Sequence, residues 1–184
     1  NQSVNTTIGT CGAVVTYTAP TFNDDCDGNG LAGTRIAGLA SGATFPVGVT
    51  TVTYRYTDAS AQSVTSSFTI TVTDNQAPTI SCPPNVTTAS SPGVCVATAF
   101  TYLAPSINDN CPSATLLQVA GLSSGSNFPL GVTTNTFQVT DASGNTATCS
   151  FTVTVNDLQN PTITCPANIS VSASVGVCNA VVSY

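Results

Sequence analysis

Residues 45–60 read FPVGVTTVTYRYTDAS, and residues 128–143 read FPLGVTTNTFQVTDAS. Eleven of the sixteen positions coincide, at an offset of 128 − 45 = 83 residues. Other landmarks keep the same step: Cys82 returns as Cys165, Cys95 as Cys178, Phe68 as Phe151, and Pro78-Thr79-Ile80 as Pro161-Thr162-Ile163. Self-similarity at a fixed period is the signature of a tandem array. The boundaries follow from it. Residues 1–74 form a first repeat without its opening strand, 75–77 a linker, 78–157 a complete second repeat, 158–160 a linker, and 161–184 a truncated third repeat. Such a chain is expected to be a piece of a longer array.

Inside a repeat the period is two. Ala147, Cys149, Phe151, Val153 and Val155 alternate with Thr148, Ser150, Thr152 and Thr154. One apolar and one hydroxyl face describe a half-buried antiparallel strand. Val64, Phe68, Ile70 and Val72 repeat the pattern in the first unit. Asp141-Ala142-Ser143-Gly144-Asn145 is turn chemistry, because Asp caps its own backbone and Gly and Asn accept positive φ. The duplicated stretch is therefore one arm of a β-hairpin whose other arm is residues 146–155. No helical period exists; residues 31–40 are broken by Gly33 and Gly38. Short strands with turn signals between them predict an all-β protein of tandem immunoglobulin-like β-sandwich repeats, about 83 residues each. Pro78 and Pro161 stiffen joints of about three residues, so the repeats are expected to form a stiff rod.

Charge narrows the functions. Only 5% of residues are charged, there is no His, and the net charge is −6. All eight acids are Asp, and the only cations are Arg35 and Arg55. A nucleic-acid surface needs a Lys/Arg patch, which this chain does not have. No apolar run reaches the length of a membrane span. Without His, no Ser/His or Cys/His nucleophile can be assembled, and the Asp residues fall at turns that capping explains, so the chain is not expected to be an enzyme.

The eight cysteines show no C-x-x-C and no zinc-like spacing, which favours disulfides and an oxidising, extracellular or cell-surface setting. Ser66 stands where Cys149 would be (149 − 83 = 66), yet Cys11 and Cys26 are both retained. If bridges are lost as pairs, the survivors pair together. That predicts Cys11–Cys26, hence Cys95–Cys111 and Cys82–Cys149, and leaves Cys165 and Cys178 with partners elsewhere. One geometric difficulty attends Cys95–Cys111: a straight strand over 96–103 would separate its ends by roughly 25 Å, too far for a bridge. The second repeat has one more residue than the first between these cysteines (16 steps against 15), which predicts a bulge there.

These motifs together resemble HYR (hyalin repeat) modules. The matching residues are Pro78-Thr79-Ile80-x-Cys82-Pro83-x-Asn85, Phe128-Pro129-x-Gly131-Val132-Thr133-Thr134, Thr140-Asp141-Ala142-Ser143-Gly144-Asn145 and Cys149-x-Phe151-Thr152-Val153. The resemblance spans essentially the whole chain. It implies an immunoglobulin-like fold and a place in adhesive or matrix-like extracellular proteins. Animal members typically carry only the equivalents of Cys82 and Cys149. The additional Gly-Val-Cys and Asn-Asp-Asn-Cys pair resembles the variety found in long surface proteins of Bacteroidota. Ser66, and Ala61 in place of the turn glycine, depart from the pattern and predict a looser last hairpin in the first repeat.

Three sets of residues are candidate sites. Asp24, Asp25, Asp27 and Asn29 cluster oxygens as calcium loops do, but the closing bidentate Glu is missing, so the residues read first as a solvated turn and no cofactor is expected beyond calcium. Asp74 and Asp157 precede the proline joints, where cadherin linkers hold calcium; those use Glu partners, and strand termination accounts for these two Asp. Asn1, Asn5, Asn85 and Asn168 satisfy N-x-S/T and would accept glycans in a eukaryotic secretory route. The expected function is a structural stalk or spacer of an extracellular adhesin or surface filament, whose partners are the neighbouring repeats. The alternative is that the repeats themselves bind a carbohydrate or protein through residues 114–128 or the Thr faces; exposed aromatics would favour it.

Overall fold

The computed structural model describes residues 1–183; Tyr184, where the expected third repeat stops, lies outside them. Strands come in two series. The first is β1 (Gln2–Asn5), β2 (Gly12–Val15), β3 (Thr21–Asp24), β4 (Gly28–Ala32), β5 (Thr34–Ala37), β6 (Ala43–Pro46), β7 (Gly48–Thr57) and β8 (Ser63–Thr73). The second is β9 (Thr79–Ser81), β10 (Val86–Ala89), β11 (Val96–Phe100), β12 (Ser106–Asn108), β13 (Thr115–Ala120), β14 (Ser126–Pro129), β15 (Gly131–Thr140) and β16 (Thr146–Asn156). The expected all-β fold is the one observed.

Each series builds two layers. A four-stranded sheet, ordered β1-β8-β7-β5 or β10-β16-β15-β13, faces the pair β2–β6 or β11–β14. The duplicated stretch supplies β7 and β15, each hairpinned to the strand after it over ten antiparallel pairs. The first strand of each large sheet runs parallel to the last, Gln2 beside Ile70 and Val86 beside Val153. Asn1 and Asn85 share a register for a structural reason: Asn1 Oδ1 accepts from Thr69 N and Asn85 Oδ1 from Thr152 N, which fixes the entry of each parallel strand.

The cores follow the period of two. Phe151, Val153 and Val155 of β16 are buried, with Thr146, Thr148 and Ser150 exposed. Phe45 and Phe128, the first residue of each copy of the duplicated stretch, have no exposed surface. Phe128 meets Phe100 and Tyr102 edge-on, with centroids 5.5 and 6.2 Å away. The pattern fails at one expected position. Val64 is exposed, because it sits one residue into β8 beside the turn, opposite Tyr56 and beyond the end of the apolar core.

The extra residue of the second repeat is visible as a register shift. Val15 pairs with Ala43 in a regular β2–β6 ladder, whereas the β11–β14 ladder slips between Ala97 and Phe100, with Ala99 at φ 48°. The edge strands β5 and β13 slip as well, between Arg35 and Ala37 and between Gln118 and Ala120. Bulged edges blunt pairing with other sheets. Just past β13, Gly121 (φ +90) lies so close to β15 that a Cβ would meet Thr134 O at 2.6 Å and the Asn135 Cα at 2.7 Å. Gly121→Ala is expected to destabilise the second repeat by about 2–3 kcal/mol, through left-handed strain and overpacking. Urea unfolding measures it, and an unchanged midpoint would refute the contact.

Residues 157–183 contain no strand. The reason is topological. In the second repeat β9 pairs with β12, and β10 with β16; residues 161–183 correspond to the segment from β9 to β11, and those partner strands have no counterpart within the 184 residues. A strand without a partner leaves its backbone groups to water.

Candidate functional site

Of the residues that sequence singled out, Asp74, Asp141, Cys11 and Cys111 gather at the joint between the two repeats. β8 ends at Thr73, and Asp74 follows with 4% of its surface exposed. Its Oδ1 accepts from Thr6 Oγ1 at 3.1 Å and from its own chain at Gln76 N, 3.2 Å. Gln76 then straps the linker down: Nε2 donates to Thr6 Oγ1 at 2.7 Å and Thr7 O at 3.1 Å, while Oε1 accepts from Gly9 N at 2.8 Å. Gln159 repeats the strap onto Ser91 O and Gly93 N. The joints are therefore bonded structures rather than free tethers.

The second repeat reaches back. Asn110 Nδ2 donates to both Asp74 Oδ1 and Thr10 O at 3.1 Å. Asn145 Nδ2 donates to Asp74 O at 3.2 Å and to Asp141 Oδ2 at 2.8 Å. Burial pushes the Asp141 carboxyl up, but the Asn145 side chain and the backbone amides of Asn145, Ser143 and Gly144 outweigh it and hold the group below the usual carboxylate range. The turn that sequence assigned to Asp141 thus also builds the joint. In the first repeat the matching Asp58 accepts only Gln62 N through Oδ1, and Ala61 takes the left-handed conformation (φ 64°) where the second repeat has Gly144.

A disulfide closes the joint: Cys11 is bonded to Cys111, Cα to Cα 4.7 Å, across 100 residues of sequence. The expected Cys11–Cys26 and Cys95–Cys111 bridges are not formed; Cys26 and Cys95 are free and exposed, as are Cys165 and Cys178. The reason is length. Cys26 sits at the β3–β4 turn, in the same cleft as Asp58 and Gln62 at the start of β8. Cys11 sits at the far end of β8, where Thr6 N bonds to Thr73 O. Eleven residues of β8 span about 33 Å, so the two thiols occupy opposite ends of one sandwich. Cys95 and Cys111 are opposed in the same way, Cys95 beside Asp157 and Cys111 beside Asp74. Head-to-tail stacking brings unlike ends together, and Cys11 therefore meets the Cys111 of the next repeat. The other bridge, Cys82–Cys149, lies within the second repeat and ties the end of β9 to β16, Cα to Cα 5.8 Å.

The acidic loop is only partly assembled. Asp24 and Asp25 lie together with Cys26. Asp24 Oδ1 accepts from Cys26 N and Asp27 N, both at 2.9 Å, which makes it the capping residue of the turn. Asp27 points elsewhere: its Oδ2 accepts from Tyr56 Oη at 2.6 Å. That hydrogen bond, with burial and the negative field of Asp24 and Asp58, pushes the Tyr56 hydroxyl up to about 12. Asn29 is exposed at the start of β4. The sequon residues Asn1, Asn5, Asn85 and Asn168 are all exposed.

Residues 114–128 form the edge strand β13 and strand β14. Leu117 and Val119 are exposed there, but Phe128 is fully buried. Among the described residues every Phe and Tyr is buried or half-buried, so no aromatic platform faces solvent.

The HYR domain family model matches residues 1–72 and again residues 73–155. The chain belongs to the HYR domain family. The HYR pair is 37% identical over 183 residues to "Hyalin" of Strongylocentrotus purpuratus, covering 96% of this chain and 15% of that protein. It is 34% identical over 169 residues to "Hyalin" of Lytechinus variegatus, covering 87% of this chain and 30% of that protein. The chain thus spans less than a third of either relative. The solved structure titled "Protocadherin gammaB7 EC3-6 cis-dimer structure" aligns with a TM-score of 0.34 at 14% identity, covering 64% of this chain and 36% of its own, too little to bear on fold or function. Signals for the HYR joint were present in the sequence as Asp74, Asn110, Cys111 and Asp141, but in three separate segments. No helix of the described residues is long and apolar enough to cross a membrane.

Proposed function

We propose that these HYR repeats are a structural stalk segment of an extracellular adhesin or cell-surface filament, in which each repeat is covalently clasped to the next. The Cys11–Cys111 bridge carries this reading. A disulfide between repeats serves neither repeat's own core; it fixes one against the other. Buried aromatics and Thr-lined outer faces support a spacer over a carbohydrate- or protein-binding surface. Disulfides support an oxidising compartment for the chain, and the four cysteines of the second repeat suit the long surface proteins of Bacteroidota.

The clasp extends by repeat equivalence. Cys95 occupies the position of Cys11, and Cys26 that of Cys111, and both thiols are exposed. An adjoining repeat of the same kind would be joined through them, two thiols giving their electrons and protons to an oxidising disulfide that departs as a dithiol.

The clasp also shapes the mechanical response. A force applied at the chain ends passes through Cys11–Cys111 and bypasses the 100 residue steps between them. Single-molecule stretching of the oxidised chain is expected to release length only from the residues outside that loop. Reduction should add roughly 350 Å, at about 3.6 Å per residue. An oxidised chain that extends as far as the reduced one would rule out the mechanical reading.

A further inference from the structure

Three carboxylates that belong to different segments converge beside the clasp. Asp74 follows β8, Asp109 follows β12, and Asp141 follows β15; each offers an oxygen within 4.8 Å of the others. Asp74 and Asp141 are 4% and 6% exposed. The hydrogen bonds of the Asp74 carboxylate all fall on Oδ1, and Oδ2 is buried with no partner; Asp109 Oδ1 is in the same condition. Its second oxygen, Oδ2, accepts from Cys111 N. Buried carboxylate oxygens without a donor are costly, and three like charges repel. Neither arginine answers them. Arg35 and Arg55 lie on β5 and β7, Arg35 is bonded to Gly38 O, and among the described residues neither is bonded to the cluster.

The donor set selects the ligand. It is all oxygen: there is no His, and the nearby Cys111 sulfur is spent in the disulfide. Oxygen-only sites suit hard cations. Magnesium keeps most of its waters and takes one or two carboxylates in strict octahedral geometry, whereas calcium takes six to eight oxygens in flexible geometry. We propose that Asp74, Asp109 and Asp141 bind one calcium ion, which joins the end of the first repeat to the start of the second. The bonds from Thr6, Gln76 and Asn110 to Asp74 Oδ1 hold its other oxygen toward that position.

The repeat supports the assignment. Asp24 and Asp58 are the equivalents of Asp109 and Asp141, at offsets of 85 and 83 residues, and they line one cleft at the other end of the first repeat. Asp157 is the equivalent of Asp74. The acidic loop read from the sequence is thus half of the same arrangement, without the strand-end carboxylate of an adjoining repeat. This inference stands apart from the stalk reading, since ion binding and load bearing are measured separately.

Calorimetric titration of calcium chloride into the chelator-stripped, disulfide-intact chain tests it. One calcium per chain is expected, with magnesium at least tenfold weaker. Asp109→Asn, on a half-buried side chain, should weaken calcium at least tenfold while the far-ultraviolet spectrum stays unchanged. Asp24→Asn/Asp25→Asn/Asp27→Asn should bind as the parent does. Calcium should also raise the unfolding midpoint of the parent and leave that of Asp109→Asn in place. Absence of binding at millimolar calcium overturns the proposal. So does binding that survives Asp109→Asn, or that disappears with the loop triple variant.

Discussion

Replacing Cys82 and Cys149 together by alanine is expected to lower the stability of the second repeat by about 4 kcal/mol, from the loop-closure entropy of a bridge spanning 67 residues. A single domain is stable by only about 5–15 kcal/mol, so the loss is a large part of the total. Urea unfolding at fixed pH measures it. The first repeat is its own control, because Ser66 stands in place of the second cysteine and that repeat folds with no such bridge. Its transition should stay in place while that of the second repeat moves to lower urea. A shift of under 1 kcal/mol would mean that the unfolded chain gains little freedom when the bridge is cut.

Phe128→Ala is expected to cost about 3–5 kcal/mol, and Phe45→Ala a similar amount in the first repeat. Both rings have no exposed surface. Phe128 stands on β14, where Ala97 pairs with it, and its ring is clasped between Phe100 and Tyr102. Removing it opens a cavity between the two layers that edge-on aromatic neighbours cannot collapse to fill. Phe128→Leu, which keeps most of the volume, should recover more than half of the loss. Equal destabilisation by the two substitutions would show that ring contacts, not volume, hold the layers together.

These two residues explain why the chain writes one stretch twice. Phe-Pro-x-Gly-Val-Thr-Thr plants a ring in the core, turns the chain and starts the longest hairpin of the sandwich. The turn and the strand were legible in the sequence, because turn chemistry and strand alternation are local; the burial of Phe128 was not, since residues 114–128 read as a candidate binding segment. The bulge in β11 was legible as well, as a single residue counted between cysteines. Val64 misled for the opposite reason: alternation marks a face, but only the packed layer decides how far along the strand that face is covered.

The cysteines and acids lay beyond such reasoning. The argument that Cys11 and Cys26 survive as a pair assumed that a bridge belongs to one repeat. Each instead sits at an opposite end of its sandwich, and Cys11 finds its partner 100 residues on. Asp74 likewise found no acidic partner nearby in sequence, while Asp109 and Asp141 approach it from the next repeat. By itself the sequence determined the tandem all-β repeats, their hairpins and the apolar face of the last strand of each, since strand patterning is written residue by residue. The disulfide pairing and the acidic cluster were decided only by the tertiary structure, because both depend on which ends of two sandwiches, each about 33 Å long, are set against each other.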